Sequence, residues 1–386
     1  MPVTYLQYID SVRRMQNPAP NMQLLVSGAD TYVHRVVGGH IIAAAYSRGL
    51  PMFIVDNTTG GGGANDSAGI GGYRVVNVMN GDISLCRELL EVNTLTGISR
   101  LRTILADFGF DGVRAVKVVA YINFCKETER RLGNTAPLSP EKLEEYGSNM
   151  LVTWKLNQLC ESGRITEENR QYLLGRYAEV SSAAADFESV LVLLAPFISG
   201  RKPDPSTCVH FPVGAFRADR AMQEMMCSLL ASYVKANPEA SVLILDDGNG
   251  ERGFLSDMIK NLPARTEINM LTRDAFSLTE TERNILLNRF PIRIFTRHED
   301  MASCEKLEGH CGDVDIIKHS FTTSVDRRLR ANSAWDILLG TNRTDTRTAC
   351  APTRDPRFRK EYIQALPPGI GIIDAGGSKA VLSFEA

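Results

Sequence analysis

The stretch from Gln23 to Asp56, QLLVSGADTYVHRVVGGHIIAAAYSRGLPMFIVD, constrains the fold of this chain more than any other. An apolar run, Leu24 to Val26, ends in Ser27-Gly28. A segment with Val36, Val37, His40, Ile41 and Ala44 on one helical stripe follows, and a second apolar run, Met52 to Val55, stops at Asp56. Apolar runs without alternation suit strands covered on both faces, and a helix between two of them makes a strand, turn, helix, strand unit. A glycine turn feeding a helix N-terminus is where backbone N–H groups can gather around an anion.

Set against the phosphate-cradling pattern G-x-x-x-x-G-K-[ST], the turn reads Gly28, Ala29, Asp30, Thr31, Tyr32, Val33, His34, Arg35, and keeps only the first glycine. The missing residues differ in what they supply. The second glycine lets N–H groups converge, the lysine neutralises phosphate charge, and the hydroxyl ligates magnesium. Gly28, Val33, His34 and Arg35 are therefore the candidate phosphate-loop positions. Arg35 can attract an anion and neutral His34 can donate one hydrogen bond. Neither replaces a metal-ligating hydroxyl, and Val33 crowds the backbone where phosphate would lie. The architecture points to a nucleotide-binding fold while the chemistry argues against hydrolysis.

With 386 residues and 44% hydrophobic content, the chain can build one large or two ordinary domains around a core. A net charge of -2 gives no global attraction to nucleic acid or anionic membrane, so any such contact must be local. The most apolar run, Val190 to Ile198, is too short to span a bilayer. The expectation is a cytoplasmic, soluble protein. The 8 cysteines include no CxxC pair, which suits reduced thiols. His298, Cys304, His310 and Cys311 are the one concentration of metal-capable residues, and their spacing matches no zinc pattern; no metal is expected.

Taken in order, residues 1–20 read as an arm, with a short helix from Tyr5 to Met15 and a breaker cluster at Asn17-Pro18-Ala19-Pro20. Asn57 to Gly72, NTTGGGGANDSAGIGG, reads as a glycine-rich loop rather than a dinucleotide cradle, because a strand, Tyr73 to Val78, follows it where a helix is needed. Residues 96–199 read as an all-helical insertion. Within it Ser139-Pro140 starts a helix carrying Leu143, Tyr146, Met150 and Trp154 on one stripe, and Thr166 starts another. Strand and helix alternation then resumes: Thr207 to Val213, a helix from Asp219 to Ala236, Val242 to Leu245 ending in Asp246-Asp247, and Ile268 to Leu271. A helix capped by Ser277 with Glu280, Ile292 to Thr296, a helix from Met301 to Gly309, and a further core strand, Val314 to Lys318, complete the series. Gly371 to Phe384 reads as a closing hairpin turned at Gly376-Gly377. The organisation expected is an arm at 1–20, an α/β core at 21–95 and 200–386, and an all-α insertion at 96–199.

The glycine turn, the insertion and the strand VLILDD at Val242 to Asp247 together resemble the HerA and FtsK superfamily of P-loop motors, in particular the coupling ATPases of conjugation and type IV secretion. RIFTRHED at Arg293 to Asp300 and LPPGIGIID at Leu366 to Asp374 extend the resemblance over nearly the whole chain. It implies a RecA-like P-loop NTPase core, with Asp246 holding a magnesium-bound water and Asp247 standing where a glutamate polarises the attacking water. It implies sensing of the γ-phosphate at Thr272 or Arg273, and oligomeric rings in which an arginine, here Arg293 or Arg297, reaches a neighbour's nucleotide. Between Asp326 and Lys360, nine Arg/Lys face four Asp, a segment that is either a solvated surface or a contact to DNA phosphates or an acidic partner.

The reading is a pseudo-ATPase: a motor-like fold without a working phosphate loop, requiring no cofactor, kept as a structural or regulatory subunit of a secretion or DNA-translocation complex beside an active homologue. The rival is an active ATP-driven DNA or protein translocase that uses ATP and magnesium with Arg35 in place of the lysine.

Overall fold

The computed structural model describes residues 3–4, 23–59, 72–85, 90–93, 112–184, 186–187, 197, 200–250, 252–325, 344–375 and 377–384. The chain forms two compact units, Met1–Arg297 with Pro367–Ala386, and His298–Leu366.

In the first unit the strands are β1 (Val3–Thr4), β2 (Leu24–Ser27), β3 (Met52–Asn57), β4 (Arg74–Asn77), β5 (Thr207–Phe211), β6 (Ser241–Asp246), β7 (Glu267–Thr272), β8 (Ile292–Phe295), β11 (Ile370–Ala375) and β12 (Ser378–Ser383), numbered along the whole chain. They lie in one sheet in the order β1-β12-β11-β8-β2-β7-β6-β3-β5-β4. From β8 to β4 every pairing is parallel; β11 pairs antiparallel with β8 and with β12. The closing hairpin thus extends the sheet at its β8 side. The central strands β2, β3 and β6 are mostly apolar because both faces are covered. On β3, Phe53 and Val55 enter one buried cluster while Met52 and Ile54 enter the other; on β6, Val242 and Ile244 part from Leu243 in the same way.

Helix α1 (Thr31–Ser47) lies on the second face, burying Val33, Val37, Ile41, Ile42 and Ala45. The stripe is therefore turned from the expected one: Val36 is only partly buried, and His40 and Ala44 are intermediate. A close approach sets the rotation, since a Cβ on Gly38 would stand 3.2 Å from Leu271 Cδ1.

Between β4 and β5 run α2 (Gly112–Arg131), α3 (Pro140–Gly147), α4 (Asn149–Glu161) and α5 (Glu167–Val180). The stripe from Leu143 to Trp154 does not belong to one helix. Ser148 is extended, and its Oγ accepts from Leu151 N–H, which caps a new helix. Leu143 and Tyr146 of α3 are buried, whereas Met150 and Trp154 of α4 are exposed and Val152 and Leu156 face inward instead. One carboxylate ties three of these helices. Glu129 of α2, 1% exposed, accepts from Lys142 Nζ (2.9 Å), Tyr146 Oη (2.8 Å), Lys155 Nζ (3.2 Å) and Asn134. One apolar cluster continues from α2 to α5 into the sheet through Val209 and Phe211.

After β5 come α6 (Arg220–Ala236), α7 (Gly253–Asn261) and α8 (Glu280–Arg289), each returning the chain to the next parallel strand. The cap of α8 is Thr279 with Glu282, a reciprocal capping box, and not Ser277 with Glu280. Ser277 is used otherwise: its N–H donates to Asp274 Oδ1 and its Oγ to Asp274 O, so the turn must finish before the helix starts.

The second unit holds α9 (Met301–Cys311), β9 (Asp313–Val325), β10 (Thr344–Pro356) and α10 (Lys360–Gln364). The segment Val314 to Lys318 is not a core strand. It is the start of β9, which pairs antiparallel with β10 along thirteen registered residues in a sheet of its own. Residues 5–22 and most of the glycine-rich loop, 60–71, lie outside the described residues, as do 94–111 and 326–343.

Candidate functional site

The glycine turn is short: strand β2 ends at Ser27 and α1 begins at Thr31. Gly28 N–H donates to Thr272 O (3.1 Å) and Ala29 N–H to Arg297 O (2.8 Å), so the turn is fastened to the ends of β7 and β8. Gly28 has φ +143°, and a Cβ there would fall 2.0 Å from Thr296 Oγ1. The glycine serves a tight crossing of strand ends. Asp30 caps the helix: its Oδ1 accepts from Tyr32 N–H (3.0 Å) and Val33 N–H (3.2 Å), and its Oδ2 from Gly369 N–H (2.7 Å). A carboxylate of the chain itself occupies the donors that a phosphate would need. Val33, His34 and Arg35 all lie in the helix: Val33 is fully buried against the sheet, His34 is half-buried and Arg35 is exposed.

Two strands away, Asp246 ends β6, 4% exposed. Its Oδ2 accepts from Thr272 Oγ1 (2.7 Å) and from the Arg252 guanidinium (3.2 Å), and its Oδ1 from Asn57 Nδ2 (3.0 Å). Arg252, itself buried, also reaches Asp274 O (3.0 Å) and Ser277 Oγ (2.5 Å). The positive charge beside the β6 carboxylate is thus built in. Asp247 accepts from Thr59 N–H (2.8 Å) and Oγ1 (2.6 Å), Asn249 N–H (3.0 Å) and the Arg217 guanidinium (2.8 Å). Burial pushes its pKa up, but these hydrogen bonds prevail and hold it at about 2. At the end of β3, Asp56 meets His210 Nε2 at 3.2 Å and accepts from Thr58 Oγ1 at 2.6 Å. Its burial raises the pKa, and the hydrogen bonds from His210 and Thr58 outweigh that and lower it. Side-chain hydrogen bonds thus join β3 to β5 through Asp56 and His210, and β3 to β6 and β7 through Asn57, Asp246 and Thr272.

Asp30 accepts from two of the amides at the start of α1, and Arg252 stands beside the Asp246 carboxylate, the position at which a magnesium-bound water was expected. Among the described residues, no three His, Cys, Asp or Glu are grouped to hold a metal ion.

No protein-family model and no curated protein matches the chain. Solved structures do. The unbound bacterial conjugative coupling protein TrwBΔN70 superposes with a TM-score of 0.52 at 14% identity, over 97% of this chain and 91% of that one. TrwB in complex with the non-hydrolysable GTP analogue GDPNP superposes at 0.50 and 15% identity, over 97% and 92%. The fold is that of the coupling proteins. It is a RecA-like P-loop NTPase fold, a mostly parallel sheet with helices around it.

On the coupling-protein fold the remaining positions can be placed. Thr272 is buried on Asp246; Arg273 is exposed, with its N–H on Asp246 O at 3.0 Å. Arg293 is spent within its own chain, donating to Asp374 Oδ2 (2.7 Å) and, through Nε, to Leu287 O (3.1 Å). Arg297 is exposed. The structure therefore brings Asp246, Thr272 and the Gly28 turn together and leaves Arg35 and Arg293 apart from them. Arg217 and Arg252 escaped sequence reasoning, although the pair Asp246-Asp247 signals a need for compensating cations. Cys304 Sγ donates to His298 O, so these two residues meet through the backbone. The side chains of 344–354 and the segment 326–343, which hold most of the basic stretch, lie outside the described residues.

Proposed function

We propose that the protein is a non-hydrolysing, motor-like subunit, a pseudo-ATPase of the coupling-protein fold that serves a secretion or DNA-translocation complex in the cytoplasm as a structural or regulatory part. The observation that carries this reading is the double substitution by the chain's own groups: Asp30 at the helix amides and Arg252 at the Asp246 carboxylate. A P-loop motor works by positioning phosphate and stabilising its charge, and both means are closed here. What survives is a rigid core of ten strands, suited to hold partners. Among the described residues no helix is long and apolar enough to cross a membrane.

Steady-state assay of the purified protein, with and without DNA, is expected to show no magnesium-dependent ATP hydrolysis above background. The variant Asp246→Asn is expected to read the same. Clear turnover that Asp246→Asn abolishes would establish the rival, an active translocase.

A further inference from the structure

Strand β4 closes the sheet at its far edge and, among the described residues, pairs with β5 alone. Among the described residues, one row of its main-chain N–H and C=O groups has no strand partner. Beside it opens a cavity of about 550 Å³, within the size range of ligand sites. The opposite wall is a crossing of two segments: Arg201 N–H donates to Asp82 O (3.1 Å) and Ser84 N–H to Arg201 O (2.8 Å). Gly200 permits that crossing, since a Cβ there would stand 2.2 Å from the Asp82 carbonyl carbon.

The lining has three chemistries. Val76 and Ile83 are buried and give an apolar floor. Arg74 and Arg201 are exposed, and among the described residues neither guanidinium has a hydrogen-bond or ion-pair partner. Arg201 feels Asp204 only through space, and that carboxylate accepts from Ser206 and Thr207 instead. Asp82, also exposed, places one carboxylate in the same lining.

We propose that this groove binds an extended acidic peptide, which adds a strand to the free edge of β4. An incoming strand satisfies the edge groups, its alternate side chains fall on the Val76 and Ile83 floor, and its carboxylates meet Arg74 and Arg201 in charge-assisted pairs. What favours a peptide over a phosphodiester chain is the strand edge itself, since a peptide main chain offers both the N–H and the C=O groups that pair with β4. The proposal stands whether or not the core hydrolyses ATP.

The test uses the full chain and a fluorescein-labelled nonapeptide of alternating valine and aspartate, read by anisotropy. Saturable binding is expected, weakened about tenfold or more by Arg74→Glu and by Arg201→Glu, and kept by Arg74→Lys and Arg201→Lys. The same peptide N-methylated at alternate residues is expected not to bind, and hydrogen exchange at the amides of Val75 and Asn77 in the unmodified protein is expected to slow on peptide addition. Absence of saturable binding at about 1 mM peptide overturns the proposal. So does equal binding by folded Arg74→Glu and Arg201→Glu variants, or displacement of the peptide by a single-stranded oligonucleotide, which would mark a phosphate site.

Discussion

The Asp246 carboxylate has no exposed side-chain surface, so its charge must be met inside the protein, and Arg252 at 3.2 Å meets it. Removing one partner of such a pair costs far more than removing both. Arg252→Met, which keeps much of the side-chain volume, is expected to destabilise the fold by about 3 to 5 kcal/mol. The double variant with Asp246→Asn is expected to recover most of that, because Asn57 and Thr272 can still hydrogen-bond the amide. Urea unfolding of the four proteins measures the coupling, and additive effects would mean that the two side chains act independently. The acidic strand end was legible in sequence as a polar break after an apolar run. Its partner was not, since nothing in DDGNGERG says which way Arg252 turns. Gly28 was legible as a glycine turn, but the reason for it, contact with Thr296, comes from the other end of the core.

At the level of elements, the helices between β4 and β5 depend on one buried acid. Burial would raise the pKa of Glu129, but hydrogen bonds from Lys142, Asn134 and Tyr146, with the charge of Lys155, overcome it and bring it from 4.5 to about 2. A folded-state pKa below the unfolded one adds stability that is full above about pH 4.5 and is lost as pH falls towards 2. Glu129→Gln is expected to cost on the order of 2 to 3 kcal/mol at pH 7 and to flatten the acid limb of the stability profile between pH 4.5 and 2. Helical circular dichroism against urea at several pH values measures both; an unchanged acid limb would remove Glu129 from its place as the tie. Sequence periodicity found these helices because Leu143, Tyr146, Leu173 and Tyr177 do face a core. It joined α3 to α4 wrongly, because Met150 and Trp154 continue the period on the exposed side of a helix that Ser148 had restarted. The N-cap chemistry of serine was there to be read, but apolar spacing outweighed it.

The whole molecule was legible where strands are apolar on both faces, which fixes a covered parallel sheet, and illegible where pairing is remote, as in β9, whose ladder lies with β10 rather than in the sheet. Assembly follows from the same level of description. In the ring motors that the chain resembles, the nucleotide pocket lies against the next subunit, so surfaces that serve catalysis also join the ring. On the proposed reading, in which Asp30 and Arg252 take the places of phosphate and magnesium, those surfaces have no catalysis to serve and the interface role is the one left to them. Arg293 is committed to Asp374 and Leu287 within the chain, while Arg297 is exposed beside the Gly28 turn, where its carbonyl accepts from Ala29 N–H. Light scattering is expected to give an oligomer, or a complex with an active homologue, whose mass does not change with ATP and magnesium and falls for Arg297→Glu. Arg293→Gln is expected to lower stability through loss of the Asp374 pair before it alters assembly. A strictly monomeric protein at micromolar concentration, alone and mixed with such a homologue, would remove the interface role.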